Sequence, residues 1–314
     1  MTKASDFRGL FPAPSVPFDN NEALMEREFS KHIKTIGASK GVNGVLINAH
    51  AGELATLTPS ERARIIKLTR NELQSGQKII TGVDGLNVPD ALECLKQAEG
   101  EGADAALVVP PFDYNPRRKM TKSWEAPLRF YETLANASKL PLIIYQFPET
   151  SGVSYTTEAL SRMAEIDTVV AIKDTTIDGQ LYQEHLEALQ GRISVLAALD
   201  TPDLLGHMIL GCDGAIIGVG QLGPALWGEY TNYILAGDYT AAADIFCKRL
   251  LPLVTHIFFG RFPTLASDAA KAKEALVQLG VFTSSKVRAP AVGVNAEDIK
   301  NIRAGLVRAK LLAA

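Results

Sequence analysis

Apolar residues in this chain fall in short, near-continuous runs that recur at a fairly even interval. They are Gly44-Val45-Leu46-Ile47, Lys78-Ile79-Ile80-Thr81, Ala105 to Val109, Leu140 to Tyr145, Thr168 to Ile172, Ile193 to Leu196 and Ala215-Ile216-Ile217. A less regular one spans Leu10 to Val16. Runs this short, without polar alternation, mark strands buried on both faces of a parallel sheet. Between them lie amphipathic stretches of helical length: Glu22 to Ile36, Val88 to Ala98, Thr121 to Ala135, Thr156 to Ala164, Gly179 to Leu189 and Thr201 to Leu210. Another opens at Thr58-Pro59-Ser60-Glu61, with Thr58 as N-cap, Pro59 at the first helical position and Glu61 three residues after the cap. Strand and helix alternating about eight times predict an α/β fold, a (β/α)8 TIM barrel. Periodicity does not show closure, so an open doubly wound sheet remains the alternative.

From Leu222 onward the strands stop. Pro224 to Leu235, Tyr239 to His256, Thr264 to Leu279 and Ala296 to Leu312 read as helices, with Arg288 to Val292 as an extended connector. The first helix completes the barrel and the others are expected to pack outside it. Residues 1–235 are thus expected to form the barrel and 236–314 a C-terminal helical extension, together one structural unit, because no linker rich in Gly, Ser or Pro divides them.

The chain has 314 residues, 46% of them hydrophobic, which supplies a large core, and a formal net charge of −3. That charge speaks against nucleic acid, whose phosphates call for a concentrated basic face. The cluster Arg117-Arg118-Lys119 reads as a solvated loop. Cys94, Cys212 and Cys247 are far apart and form no CxxC, so neither disulfides nor a cysteine metal site are expected, and a cytoplasmic location fits. Met1 to Leu10 holds no apolar core of a secretory signal, and no uncharged run is long enough to span a membrane.

Barrel active sites sit at the C-terminal ends of the strands. Two strand ends carry reactive side chains: Lys173 after Val169-Val170-Ala171-Ile172, and Tyr145 after Leu140 to Ile144. Lys173 is either a lysine that snorkels or pairs with Asp174, or an amine whose pKa is lowered by desolvation and which condenses with a carbonyl. Tyr145 alone reads as a packed ring. Beside Lys173 its phenol becomes a proton relay. A third strand end, Ala49-His50-Ala51-Gly52-Glu53, offers backbone N–H groups to an anion, and His50 there is either an acid–base group or a local cap.

With these pieces in line the chain resembles the dihydrodipicolinate synthase / N-acetylneuraminate lyase family of class I, Schiff-base aldolases. The likeness covers nearly the whole chain. It rests on Pro14-Ser15-Val16-Pro17-Phe18, Gly52-Glu53, Tyr145-x-x-Pro148, Ala171-Ile172-Lys173-Asp174 and Gly211-Cys212-Asp213-Gly214. The resemblance implies a barrel with a C-terminal helical extension, a homo-oligomer (dimer or tetramer), and neither metal nor organic cofactor. It also implies roles. Lys173 forms an imine with a 2-keto acid, Tyr145 relays protons, the backbone around Ala51 and Gly52 holds the carboxylate, and Ile216 joins the substrate wall. Six positions depart from the family pattern. His50 and Ala51 replace two hydroxyl residues. Asp113, with Tyr114 beside it, stands for a relay tyrosine. Thr150 stands where the synthases carry an arginine on the second substrate's carboxylate. Asp200 is kept, while Thr201 and Gly218 replace polar contacts to a sugar tail. The expected activity is a Schiff-base lyase making or breaking a C–C bond next to a 2-keto acid such as pyruvate, with a partner other than those of the namesake reactions. A 2-keto-3-deoxy sugar acid dehydratase using the same imine is the alternative, and a non-catalytic binding barrel a third reading.

Overall fold

A computed structural model describes residues 6–85, 87–110, 119–258 and 264–313. Eight parallel strands run β1 (Gly9–Pro12), β2 (Gly44–Ile47), β3 (Lys78–Val83), β4 (Ala105–Val108), β5 (Leu142–Gln146), β6 (Val169–Asp174), β7 (Ser194–Ala197) and β8 (Gly214–Ile217). Their order is β1-β8-β7-β6-β5-β4-β3-β2. A parallel bridge between Leu10 and Val42, with Asn43 N–H donating to Leu10 O at 2.9 Å, draws β1 against β2 and closes the ring. The fold is therefore a (β/α)8 barrel. No described helix is long and apolar enough to cross a membrane.

Side-chain parity explains the continuous apolar runs. Leu46, Ile80, Leu107, Ile143, Leu196 and Ile216 fill the barrel interior, while their neighbours Ile47, Ile79, Val108, Ile144, Val195 and Ile217 pack outward against the helices. Both faces are buried, so neither needs polar residues. At the seam between β1 and β8 a Cβ on Gly214, whose φ is +153°, would stand 2.0 Å from Gly9 O, so only glycine fits.

The first strand is shorter than the Leu10 to Val16 run, because Pro12 and Pro14 lack the N–H that a continued ladder needs. Between strands lie α1 (Glu26–Gly37), α2 (Pro59–Glu72), α3 (Val88–Gly100), α4 (Glu125–Ala137), α5 (Thr157–Met163), α6 (Gly179–Leu189) and α7 (Leu204–Leu210), followed by α8 (Pro224–Leu235). The capping box expected at Thr58 and Glu61 opens α2.

Beyond α8, the stretch Tyr239 to His256 is not one regular helix. α9 (Tyr239–Ile245) passes into a π-helical turn at Phe246–Leu250, a short helical piece at Leu251–Leu253 and a second π turn at Val254–Phe258. Pro252 explains the break: it donates no N–H, and its ring crowds the carbonyl of Lys248. Then follow α10 (Asp268–Gln278) and α11 (Ala296–Arg308). Every residue of α10 from Ala269 to Leu276 is buried, including Lys271, Lys273 and Glu274.

Candidate active site

Lys173 and Tyr145 occupy paired positions on adjacent strands β6 and β5. Tyr145 belongs to the interior cluster with Ile143, and Lys173 follows Ala171 of the same cluster by two residues. Both side chains therefore project into the barrel above its packed core. Lys173 is 9% exposed, and its Nζ lies 3.8 Å from the centre of the Tyr145 ring. Burial holds the Lys173 amine below the ordinary lysine value of 10.5, against the upward pull of the Asp200 and Asp174 carboxylates. Burial likewise pushes the Tyr145 phenol above its usual value, and the Asp200 charge adds to this.

The next residue, Asp174, points the other way, into the helix layer. Its Oδ2 is 2.7 Å from His185 Nδ1, and its Oδ1 accepts from Thr176 N–H at 2.9 Å. Strand parity thus separates Lys173 from its chain neighbour, and the snorkelling pair Lys173–Asp174 does not form. Asp200 does lie on the cavity side, and its Oδ1 accepts from Val219 N–H at 2.8 Å and its Oδ2 from Gly218 N–H at 3.1 Å. Burial raises its carboxyl pKa while those two N–H groups and Lys173 lower it. A Cβ at Gly218 would meet Asp200 Oδ2 at 3.0 Å, so glycine there keeps the carboxylate's approach to the backbone open.

His50 sits in a 3-10 turn, His50–Gly52, directly after β2. Its Nδ1 lies 3.1 Å from Tyr145 Oη, and its ring stands edge-on to Phe147 at 5.4 Å between centroids. Solvent reaches the ring from the cavity, but the surrounding walls and the nearby Lys173 charge lower its pKa to about 4. The imidazole is neutral at neutral pH. One proton is then shared with the phenol, donated by Oη when the ring carries its hydrogen on Nε2 and by Nδ1 in the other tautomer.

Lys173, Tyr145, His50 and Asp200 line one cavity of about 200 Å³, to whose wall Phe258, Asp268, Ala269 and Ala272 also contribute. Of the residues expected from sequence, Lys173, Tyr145, His50, Ala51 and Ile216 meet on this cavity. Gly52 does not reach it. Its N–H donates to Ala49 O at 3.0 Å, and its Cα faces Pro14 O and the Val16 side chain. Thr150 is exposed in a 3-10 turn at Glu149–Ser151, away from the cavity wall. Asp113 and Tyr114 lie outside the described residues. Sequence reasoning missed Thr175, Phe258, Asp268, Ala269 and Ala272. Thr175 was findable, two residues past Lys173 at the same strand end. The other four belong to the C-terminal extension, and nothing in their local pattern points at a barrel mouth.

A closed α/β barrel with a buried amine, a phenol and a carboxylate around one cavity defines a class, barrel enzymes that act on carbonyl compounds. The chain belongs to the dihydrodipicolinate synthetase family, whose model matches residues 6–309. A 4-hydroxy-tetrahydrodipicolinate synthase of Phenylobacterium zucineum is 30% identical over 292 residues, covering 90% of this chain and 91% of that protein. One from Afipia carboxidovorans is 29% identical over 312 residues, covering 99% of this chain and all (100%) of that one. The crystal structure of an Acinetobacter baumannii dihydrodipicolinate synthase complexed with pyruvate is 26% identical. It superposes with a TM-score of 0.85, covering 97% of this chain and 99% of that one. The protein is accordingly an enzyme, a lyase of the aldolase type, which sets aside the non-catalytic barrel. These relatives give the dehydratase alternative no support.

Proposed function

We propose that this lyase holds pyruvate, or a pyruvate-yielding adduct, as an imine on Lys173 and makes or breaks the C–C bond at the methyl carbon. The observation that carries the reading is the pairing of Lys173 with Tyr145 across β5 and β6, with Tyr145 Oη shared with a neutral His50. The neutral amine adds to the keto carbon and the carbinolamine loses water. Tyr145 delivers the proton that leaves with that water and takes it back on hydrolysis. The iminium then draws electrons from the methyl carbon, which loses a proton to the Tyr145 phenolate and, as the enamine, attacks an aldehyde. The new alkoxide takes its proton from the phenol. Cleavage is the same path reversed.

His50 keeps the phenol able to act in both directions, because an imidazole with pKa about 4 neither donates a permanent charge nor competes as a cation with Lys173. Ala51 offers the pyruvate carboxylate a backbone N–H, and Ile216 forms part of the wall. Asp200 supplies the negative charge that faces the iminium. A homo-oligomer (dimer or tetramer) and a cytoplasmic location belong to the same reading, the first testable by light scattering. Incubation with pyruvate and borohydride, followed by peptide mass spectrometry, tests the imine. A reduced pyruvate adduct on the Lys173 peptide is expected, and its absence would contradict the proposal.

A further inference from the structure

The turn that carries His50 and Ala51 is held in an unfavourable shape. Asn48 before it has φ 48°, and Glu53 after it has φ 55° and ψ 40°. Both are left-handed conformations that a side-chain-bearing residue keeps only when its surroundings enforce them. At Asn48 the enforcement is visible: its Nδ2 donates to Arg62 O and to Thr81 Oγ1, both at 3.1 Å. At Glu53 it comes from the far end of the chain. The Glu53 carboxylate is ion-paired with Lys273 of α10, and its Oε2 accepts from Arg288 N–H at 3.3 Å. Lys273 is fully buried, also donates to Lys286 O at 2.8 Å, and stands 4.2 Å from the Phe18 ring. The Arg288 guanidinium lies over the same ring at 4.1 Å and reaches Glu61, the capping residue of α2.

α10 therefore meets the site twice. Ala269 and Ala272 form part of the cavity wall. Lys273, one helical turn beyond Ala269, grips the residue that ends the Ala51 turn. A buried ion pair adds little net stability over apolar residues of similar shape, because desolvating two charges offsets their attraction. What it does fix is relative placement. We propose that Lys273 and Glu53 are positioning residues: their buried pair locks the C-terminal extension to the β2 turn and so aims the Ala51 N–H at the substrate carboxylate. This inference rests on the imine reading above, in which Ala51 binds that carboxylate.

Borohydride trapping on Lys173, followed as a function of pyruvate concentration, tests it. The double variant Glu53→Gln/Lys273→Met removes both charges and leaves neither one orphaned. It is expected to melt near the wild type while its half-saturating pyruvate concentration rises about tenfold or more. Trapping at saturating pyruvate should recover, since Lys173 and Tyr145 are untouched. A purely structural pair would lower the melting temperature and leave half-saturation unchanged. A folded double variant with wild-type half-saturation would overturn the proposal. If the double variant does not fold, Glu53→Asp, which keeps the charge but shortens its reach, gives the same reading: a rise is expected and no change overturns it. A wild type that gives no adduct at any pyruvate concentration would remove the imine reading itself, and the inference with it.

Discussion

Two of the buried lysines of this protein each stand over an aromatic ring. Lys173 lies 3.8 Å from the ring centre of Tyr145, and Lys273 lies 4.2 Å from that of Phe18. Burial lowers the pKa of both. They differ in what else surrounds the amine. Lys273 is enclosed, with the Glu53 carboxylate and the Lys286 carbonyl as partners. Lys173 faces a cavity large enough for a small keto acid, beside a phenol that is hydrogen-bonded to His50. Desolvation alone does not make a lysine a reagent. A reagent also needs a void where a carbonyl can sit and a group to move the proton.

The sharpest way to break this contrast is to delete each amine in turn. Lys173→Ala should lower turnover of pyruvate-dependent C–C bond formation by about four orders of magnitude or more, with the fold intact by circular dichroism. Tyr145→Phe keeps the ring under Lys173 but removes the hydroxyl. We expect a loss of about 10²–10³ in the rate of imine formation, read by rapid-quench borohydride trapping. Lys273→Met leaves the Glu53 carboxylate buried without its cation and should destabilise the protein by about 3–5 kcal/mol, measured by denaturant unfolding at neutral pH.

The smallest expected effect separates the two lysines by sign. Lys173 has a folded pKa below its unfolded one, so in the window between them the unfolded chain binds more protons and stability rises with pH. Lys173→Met should therefore raise the melting temperature below that window, and the gain should shrink as pH approaches the ordinary value of 10.5. A variant less stable than the wild type at neutral pH would mean that Lys173 is held as a paired, structural cation.

The sequence made Lys173 and Tyr145 legible because each ends an apolar run, and strand parity places both in the barrel interior. The barrel was legible for the same reason: strands buried on both faces leave runs that no surface helix produces. His50 was legible as a candidate, but its neutrality was not, because that depends on burial within the folded site and on the charge of Lys173, distant in the chain. The role of α10 was hidden more deeply. Asp-Ala-Ala-Lys-Ala-Lys-Glu-Ala reads as a solvated helix, since charged residues at helical spacing ordinarily face water. Their burial follows from partners such as Glu53, 220 positions away by number (273 − 53). Gly52 was expected at the substrate and instead spends its N–H on Ala49, a short-range bond that only the shape of the turn reveals.

The central claim is that the amine of Lys173, and no other, condenses with a 2-keto acid. Borohydride reduction in the presence of pyruvate, with every lysine peptide quantified by mass spectrometry, tests it most directly. The account predicts one reduced pyruvate adduct per chain, on the peptide that contains Lys173, with the Lys273 peptide unmodified. An adduct distributed over surface lysines, or one on Lys273, would contradict it.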